Sequence, residues 1–166
     1  MIYPWQHAKD TPKETPTPAA ESLKNVCNLF LKDLEALPEE AYDKKFGPKV
    51  RTITDIVYEV NLVNDSIVRD LLREPNSPFP TGGWLTAPEG SGGKEKVIEA
   101  FKASSEKAVA TVETFSPEQM EEKVKTEEGE STRTEQVRFM SIHLWYHLGQ
   151  INYVQTLLGD DVWHWN

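Results

Sequence analysis

Two histidines near the end of the chain are spaced for metal ligation. His143 and His147 are four residues apart, which on a helix places their Cβ atoms about 5–6 Å apart, one above the other. Because imidazole nitrogens bind zinc at about 2.0–2.1 Å, both rings can reach one ion. Met140, Leu144 and Ile151 share this face, so we expect it to point inward. A histidine pair at this spacing is also common as a hydrogen-bonded polar patch, and that alternative stays open.

Gln150 extends the same polar stripe by one turn, since it lies seven residues after His143 and three after His147. At that distance we expect it to contact a ligand in the outer shell rather than the ion itself. Leu144 occupies the position at which an H-E-x-x-H metalloprotease has its glutamate, so the motif does not predict that class of enzyme.

A bound ion needs a further ligand from a second helix, and Glu59 is the candidate. It lies three residues after Ile56 and four before Val63, inside an apolar stripe. A lone carboxylate there is strongly desolvated unless it is paired or bound to a cation. Two histidines and a carboxylate suit one divalent ion of zinc, nickel, iron or manganese, with positions left for water. The alternatives are a helix rotation that takes Glu59 to the edge, or an ion pair with an arginine such as Arg138.

Two asparagines offer further polar groups near Glu59. Asn64 lies on the flank of the same helix face, where it can hydrogen-bond in the site, and Asn61 is its neighbour. The alternative is that Asn64 faces solvent or caps a backbone group. We treat Asn64 and Gln150 as candidates for binding a ligand beside the ion.

Four segments with apolar residues at steps of three and four predict four long helices. The first covers residues 17–37, with Thr17 as its cap. The second begins at a capping box formed by Thr52 and Asp55 and ends near Pro75. Its β-branched content is typical of a strand, but the helical spacing is maintained over the whole segment and favours a helix.

The other two long helices follow after a loop. The third covers residues 97–115, and Ser116 then caps a short helical turn. The last runs from a second capping box, Thr132 with Glu135, to Leu158, where Gly159 provides a stop.

The connections between these helices are long and polar. Residues 75–93 form a loop rich in proline and glycine that can cover a site, and residues 118–130 form an acidic stretch with a turn at Gly129. No segment predicts a strand. We expect an all-α four-helix bundle of up-and-down type, with loops long enough to permit a crossover. An extended arm covers residues 1–16, and a single domain over 17–166 ends in an aromatic tail.

The charge balance excludes several classes of partner. The chain has 18 Lys and Arg against 27 Asp and Glu, a net charge of −9, whereas nucleic acids and anionic membranes need clustered cations. No apolar run approaches the roughly 20 residues of a membrane helix, and no secretory signal is visible. The single cysteine, Cys27, lies on an apolar helix face, so we expect a core residue in a cytoplasmic, reducing compartment.

Several aromatic residues lie outside the predicted core. Trp84 in the long loop and Trp145 and Tyr146 on the last helix can line a pocket or a dimer face. His164 stands between two tryptophans in the tail, so we expect it to pack there rather than to bind a metal.

The chain resembles the DinB-like superfamily of small metal-binding four-helix bundles over about residues 17–160. The strongest element is H-x-x-x-H-x-x-Q, here His143, His147 and Gln150, followed by Leu-Leu-Gly at 157–159. A weaker element is the helix that begins at 51–57, after which the family usually has its first metal histidine and this chain has Glu59. The resemblance implies a His-His-Glu site or a degraded one, and a tendency to form homodimers. It also implies relatives that include transferases and isomerases using a low-molecular-weight thiol, bacillithiol or mycothiol.

Two functional hypotheses follow. The first is a divalent-metal-dependent enzyme acting on a small molecule, in which an ion held by His143, His147 and Glu59 ionises water for hydrolysis or activates a thiolate for transfer. The second is a non-catalytic dimeric bundle, ligand-binding or stress-associated, in which the same residues form a hydrogen-bond network. A metal-responsive regulator is least favoured, because the chain lacks a basic surface for reading DNA.

Overall fold

A computed structural model describes residues 19–75, 77–80 and 82–166. Four long helices form the bundle: α1 (Ala19–Ala36), α2 (Ile53–Leu72), α3 (Lys94–Glu113) and, last in the chain, α5 (Arg133–Leu157). A short helix α4 (Pro117–Met120) and two strands, β1 (Lys123–Thr126) and β2 (Gly129–Thr132), lie between α3 and α5. The predicted all-α four-helix bundle is confirmed. The predicted arm over residues 1–16 and the cap at Thr17 lie outside the described residues.

Local capping fixes where the two site-bearing helices begin. The hydroxyl of Thr52 accepts from the backbone N–H of Asp55 at 3.0 Å, and Thr132 accepts from the N–H of Glu135 at 3.1 Å. Both predicted capping boxes are therefore present. At its other end, α2 stops at Arg73, whose φ of 58° is left-handed.

The helices are arranged so that α2 and α5 lie side by side. α1 packs against α3 and α5, and α2 packs against the same two helices. α1 and α2 are therefore diagonal, and residues 37–52 make the crossover that the long loops permit. Tyr42 is fully buried in this crossover. Its hydroxyl donates to the carbonyl of Leu34 at 2.6 Å, and its backbone carbonyl accepts from the N–H of Thr54 at 3.1 Å.

A buried arginine aligns the end of α2 with the start of α5. Arg133 donates from Nε to the carbonyl of Leu71 at 2.9 Å and from Nη1 to the carbonyl of Gln119 at 2.8 Å. Because these acceptors terminate α2 and α4, the guanidinium fixes the register in which α5 runs along α2. The register decides which residues of the two helices face each other further along.

The apolar stripes of the four long helices meet in one core. Phe30 of α1 and Phe101 of α3 stack with ring centroids 4.6 Å apart. Cys27 is 6% exposed and belongs to this cluster, as predicted. Burial raises the pKa of its thiol to about 12, so the sulfur stays protonated at neutral pH and is a weak nucleophile.

The expectation of no strands is wrong in one place. β1 and β2 form an antiparallel hairpin in which Lys123 pairs with Thr132 and Thr126 pairs with Gly129. The predicted turn is there, and Gly129 has a φ of 135° that favours glycine. The strands escaped prediction because each has only four residues, Val124 is the one apolar side chain among them, and it is also the one that is buried.

The aromatic tail folds back onto the bundle. The indole N–H of Trp165 donates to Asp33 Oδ2 at 2.9 Å, and the Trp165 ring lies edge-on to Trp145, with centroids 5.6 Å apart. His164 lies 2.8 Å from Asp160 Oδ2. The predicted packing of the tail, and of His164 within it, is confirmed.

Within the described part of the chain, no helix combines the length and the apolar character that crossing a bilayer requires.

Candidate metal centre

Three polar side chains from α2 and α5 converge on one point inside the bundle. The Nε2 atoms of His143 and His147 are 3.1 Å apart. Glu59 Oε1 lies 3.6 Å from the first and 3.4 Å from the second. His147 is fully buried, and the side chains of His143 and Glu59 are 13% and 15% exposed. The sequence therefore identified three residues that the fold does bring together, and their ligation of an ion stays a prediction.

The spacing of these three atoms fits one coordination sphere. Ligand atoms at about 2.0–2.1 Å from a tetrahedral zinc are about 3.3 Å from one another. The observed separations of 3.1 to 3.6 Å bracket that value. Within the described residues, this is the group of histidine and acidic side chains close enough to share an ion.

Gln150 sets the tautomer of His147. Its carbonyl Oε1 lies 3.0 Å from His147 Nδ1, and Arg51 Nη2, which can only donate, lies 3.4 Å from the same nitrogen. The shorter contact, to a carbonyl that only accepts, favours the tautomer in which Nδ1 carries the proton and donates to Gln150. The Nε2 atom of His147 is then unprotonated and faces Glu59 and His143. A metal-binding histidine typically donates its second ring nitrogen to an outer-shell oxygen in this way. Gln150 thus lies where the sequence predicted it.

Burial keeps both histidines neutral. Desolvation lowers the pKa of His143, against the opposing attraction of Glu59. Desolvation also lowers the pKa of His147 well below its ordinary range, and the positive charge of Arg51 adds to this effect. Neutral imidazole is the form that binds metals, so no proton has to be displaced from a cationic ring first.

The cluster has more hydrogen-bond acceptors than hydrogens to donate to them. His147 Nε2 and Glu59 Oε1 are both acceptors, and at most one hydrogen, on His143 Nε2, lies between them. His143 Nδ1 is itself buried without a hydrogen-bond partner among the described residues. Buried acceptors normally have a hydrogen-bond donor. Here several lone pairs face one another with at most one hydrogen between them, and a cation bound among them would satisfy them. On this donor set, the residues present fit a divalent metal.

Sequence reasoning missed Arg51. Its guanidinium forms an ion pair with Glu59 through Nη1 and Oε2, and its Nη2 lies 3.5 Å from Gln150 Oε1. The ring of Trp84, from the long loop, covers the guanidinium at 4.3 Å from its centroid. Arg51 holds one oxygen of Glu59 and leaves Oε1 facing the histidines. The available signal was its position just before the capping box, about two helical turns from Glu59.

The arginine partner that the sequence suggested for Glu59 is wrong in identity. Arg138 is exposed on α5, and Arg51 takes that role instead. Asn64 is 1% exposed and donates to Ser104 Oγ at 3.3 Å, so its expected alternative of facing solvent is also wrong. This contact ties Asn64 to α3, its Oδ1 is buried without a partner among the described residues, and its binding of a ligand in the site stays a prediction. Asn61 is half-buried, with an unpartnered Oδ1.

A cavity of about 720 Å³ opens beside the cluster, between α2 and α5. Glu59 and His143 lie at one end of it, and the hairpin forms the other end through Thr126, Glu127, Glu128 and Ser131. Its volume is within the range of about 300–1,000 Å³ for small-molecule sites. The cluster is thus accessible to a small ligand from one side, while His147 closes the other.

Comparisons with known proteins agree on the fold. A family model described as the DinB superfamily matches residues 6–151. A crystal structure of a conserved protein from Enterococcus faecalis superposes with a TM-score of 0.64 at 15% sequence identity, over 85% of this chain and 95% of that one. A search of curated proteins finds no match.

Proposed function

Since the chain belongs to the DinB superfamily, we propose that it is a divalent-metal-dependent enzyme that acts on a small molecule, as a hydrolase or as a thiol-dependent transferase. The observation that supports this most directly is the convergence of His143 Nε2, His147 Nε2 and Glu59 Oε1 within 3.6 Å of one another beside an open cavity. When bound, a divalent ion supplies Lewis acidity, which lowers the pKa of water or of a thiol.

The chain's own residues contribute positioning and exclusion of water. Gln150 fixes the His147 ring, and Arg51 fixes the Glu59 carboxylate. Trp84 of the long loop covers Arg51 and shields this side of the site from solvent. A reacting group can enter through the cavity, on the side of His143.

The test is metal loading followed by assay. Untagged protein, purified without chelator, is offered Zn²⁺, Ni²⁺, Mn²⁺ or Fe²⁺, dialysed, and analysed for metal. We expect one equivalent of one of these ions per chain. The loaded protein is then assayed for hydrolysis of 4-nitrophenyl acetate, and for conjugation of bacillithiol, mycothiol or cysteine to 1-chloro-2,4-dinitrobenzene. Metal-dependent turnover that His147→Ala loses and His164→Ala keeps supports the proposal. Failure of all four ions to bind stoichiometrically would overturn it.

The Arg51–Glu59 ion pair favours a second candidate function, a ligand-binding bundle without catalysis. The pair already neutralises the carboxylate, as a purely structural network requires. Melting curves with and without the metal separate the two candidates. A bound ion stabilises the folded state by mass action, and Glu59→Ala should abolish that rise in Tm. Identical melting with and without every ion supports the structural network.

We also propose that the chain forms a homodimer through the outer face of α5. Phe139, Ile142, Tyr146 and Tyr153 are each more than half exposed, and with Gly149 they follow one another at steps of three and four. Such a stripe is typical of a helix that packs against another helix. A Cβ built on Gly149 would meet nothing within 4 Å, so a partner helix can approach closely there.

Sedimentation equilibrium tests this assembly. We expect a dimer at micromolar concentration, and Ile142→Glu should make the protein monomeric because a charge would be buried at the contact. Val50→Glu is the matched control, since Val50 is an exposed apolar residue of the crossover and not part of α5. A monomeric wild-type chain would contradict the proposal.

A further inference from the structure

The cavity beside the metal cluster has an unusual charge for a small-molecule site. Among the described residues, its lining includes five carboxylates and no lysine or arginine, and one of the five, Glu59, is paired with Arg51 from outside the lining. The acidic residues are Glu59, Asp70, Glu127, Glu128 and Glu135. Carboxylates gathered around one concave surface produce a negative potential that concentrates cations and repels anions.

Contacts within the wall hold this arrangement in place. Glu127 Oε2 accepts from the backbone N–H of Phe79 at 3.1 Å, which ties the hairpin to the loop after α2. Glu135 Oε2 accepts from the backbone N–H of Thr132 at 2.8 Å, which ties the same hairpin to the start of α5. The acidic end of the cavity is therefore built from three segments that hydrogen-bond to one another.

The middle of the cavity is apolar and aromatic. Val63 and Ile67 of α2 face it from one side, with Phe79 from the loop and Phe139 from α5. The ring of Phe139 also stacks on His143, with centroids 6.2 Å apart. Aromatic faces attract organic cations as well as apolar groups, so this lining suits a ligand with an apolar body and a positive end.

The far end of the cavity is formed by the cluster of Glu59 and the histidines. Glu59 and His143 of the cluster line it, and buried Nδ1 of His143 has no partner among the described residues. Eight residues of α5 separate Glu135 from His143, about 12 Å along the helix axis. A ligand that contacts both ends is therefore extended and about that long.

We propose that the substrate is an organic cation, a primary amine or guanidine with an apolar body. Its charged end lies among the hairpin carboxylates, and its reactive group lies toward Glu59 and His143. The inference rests on the proposed enzymatic function for its reactive end, whereas the preference for a cation depends only on the cavity. It favours an amine-bearing acceptor for the transferase or an amine-bearing ester or amide for the hydrolase.

Isothermal titration calorimetry with matched probes tests the charge preference. The probes are 4-phenylbutylammonium, 4-phenylbutanoate and neutral 4-phenylbutanamide, each titrated into the metal-free and the zinc-treated chain. We expect the ammonium probe to bind the metal-free chain at least tenfold more tightly than the carboxylate probe, with the amide between them. Raising the salt concentration should reduce this difference, because exposed charges are screened.

Paired substitutions locate the preference in the cavity. Glu127→Gln with Glu128→Gln should weaken binding of the ammonium probe about fivefold, since exposed ion pairs are each worth about 0.2–1 kcal/mol. The control is Glu106→Gln with Glu113→Gln, which removes the same charge from exposed positions on α3 outside the cavity lining. It should leave the Kd unchanged.

The outcomes separate this inference from the proposed function. Equal or tighter binding of the carboxylate probe to the metal-free chain, or no binding of the ammonium probe, overturns the inference even if zinc binds. The inference is also overturned if the control, Glu106→Gln with Glu113→Gln, abolishes the cation preference as fully as the hairpin variant does. If the chain binds no metal but keeps the preference and loses it in the hairpin variant, the enzymatic proposal fails and the cation site stands.

Discussion

Glu59 and Asp33 each place a carboxylate from another helix against polar residues of α5. They differ in the groups that surround the carboxylate oxygens. Asp33 of α1 is 1% exposed, and its Oδ2 accepts from the side-chain amide of Asn152 and from the indole of Trp165. In Glu59 of α2, one carboxylate oxygen is paired with Arg51 and the other faces two neutral imidazoles.

The difference lies in the number of hydrogens that surround each acid. Asp33 has neutral N–H donors for its carboxylate, and Gln155 donates to its backbone carbonyl at 3.1 Å. Its needs are met within the chain, and the tail covers it. Glu59 Oε1 faces acceptors and shares one hydrogen with them at most. A buried acid with a full set of donors is structural, whereas one that faces lone pairs is a site for an added cation.

The largest effect is expected when a histidine is removed from the Glu59 cluster. His147→Ala should lower zinc affinity by at least about 100-fold, because losing a ligand should exceed the 10- to 100-fold effect of an outer-shell change. Competition with a chromophoric chelator measures the Kd. His164→Ala removes a histidine from the tail and should leave it unchanged. If His147→Ala binds zinc as the wild type does, the cluster is not the metal site.

The complementary change is Asp33→Ala, which should reduce stability and leave zinc affinity unaltered. It deprives Trp165 and Asn152 of a charged acceptor, and such hydrogen bonds contribute roughly 1.5–3 kcal/mol each. Because these groups can partly rehydrate, we expect the free energy of unfolding to fall by about 2 kcal/mol in urea titrations. A large loss of zinc binding in this variant would show that the two regions are coupled.

A smaller effect is expected at the two glutamines of α5, which form a matched pair. Gln150→Leu should weaken zinc binding about tenfold, since His147 loses the acceptor that fixes its tautomer. Gln155→Leu should leave the zinc Kd as it is and lower the urea midpoint, because Gln155 Nε2 supports the Asp33 carbonyl. Equal zinc affinities in both variants would remove Gln150 from the outer shell.

The smallest expected effect is on the pH dependence of stability. Burial raises the pKa of Asp33, although hydrogen bonds from Trp165 and Asn152 oppose it. The folded state then binds more protons than the unfolded state between the unfolded pKa of about 3.9 and the raised folded pKa. Stability attributable to Asp33 is therefore lowest above the folded pKa and rises as pH falls through this window.

Urea titrations from pH 7 to pH 4 on the wild type and Asp33→Asn measure this contribution. Subtracting the two series cancels the other titrating groups. The wild type should gain stability relative to the variant as pH falls, by less than about 1 kcal/mol. A relative loss on acidification would mean that the hydrogen bonds to Asp33 outweigh its burial.

Much of the fold could be predicted because it is encoded locally. Thr52 and Thr132 are each followed three residues later by an acid, and the capping boxes formed where that pattern placed them. His143, His147 and Gln150 needed only helical spacing to be placed on one face. Glu59 was found because a carboxylate inside an apolar stripe is conspicuous.

The rest depends on contacts between distant segments. Arg51 precedes α2, so its position before the capping box was a signal, but helical spacing alone did not place its side chain on Glu59. Trp84 reaches Arg51 only through the course of a long loop. Asn64 was misread because its partner, Ser104, is on a helix whose place in the bundle the sequence left open. The hairpin carboxylates became a cavity wall only through pairing of strands too short and polar to predict.

The crossover between α1 and α2 has a consequence for biosynthesis. It makes α2 the neighbour of α5, so Glu59 meets partners that lie 84 residues further along, at His143. Ribosomes add about 5–20 residues per second, so several seconds pass between the synthesis of Glu59 and that of the two histidines of α5. A nascent chain therefore cannot offer all three groups to an ion until α5 has been synthesised.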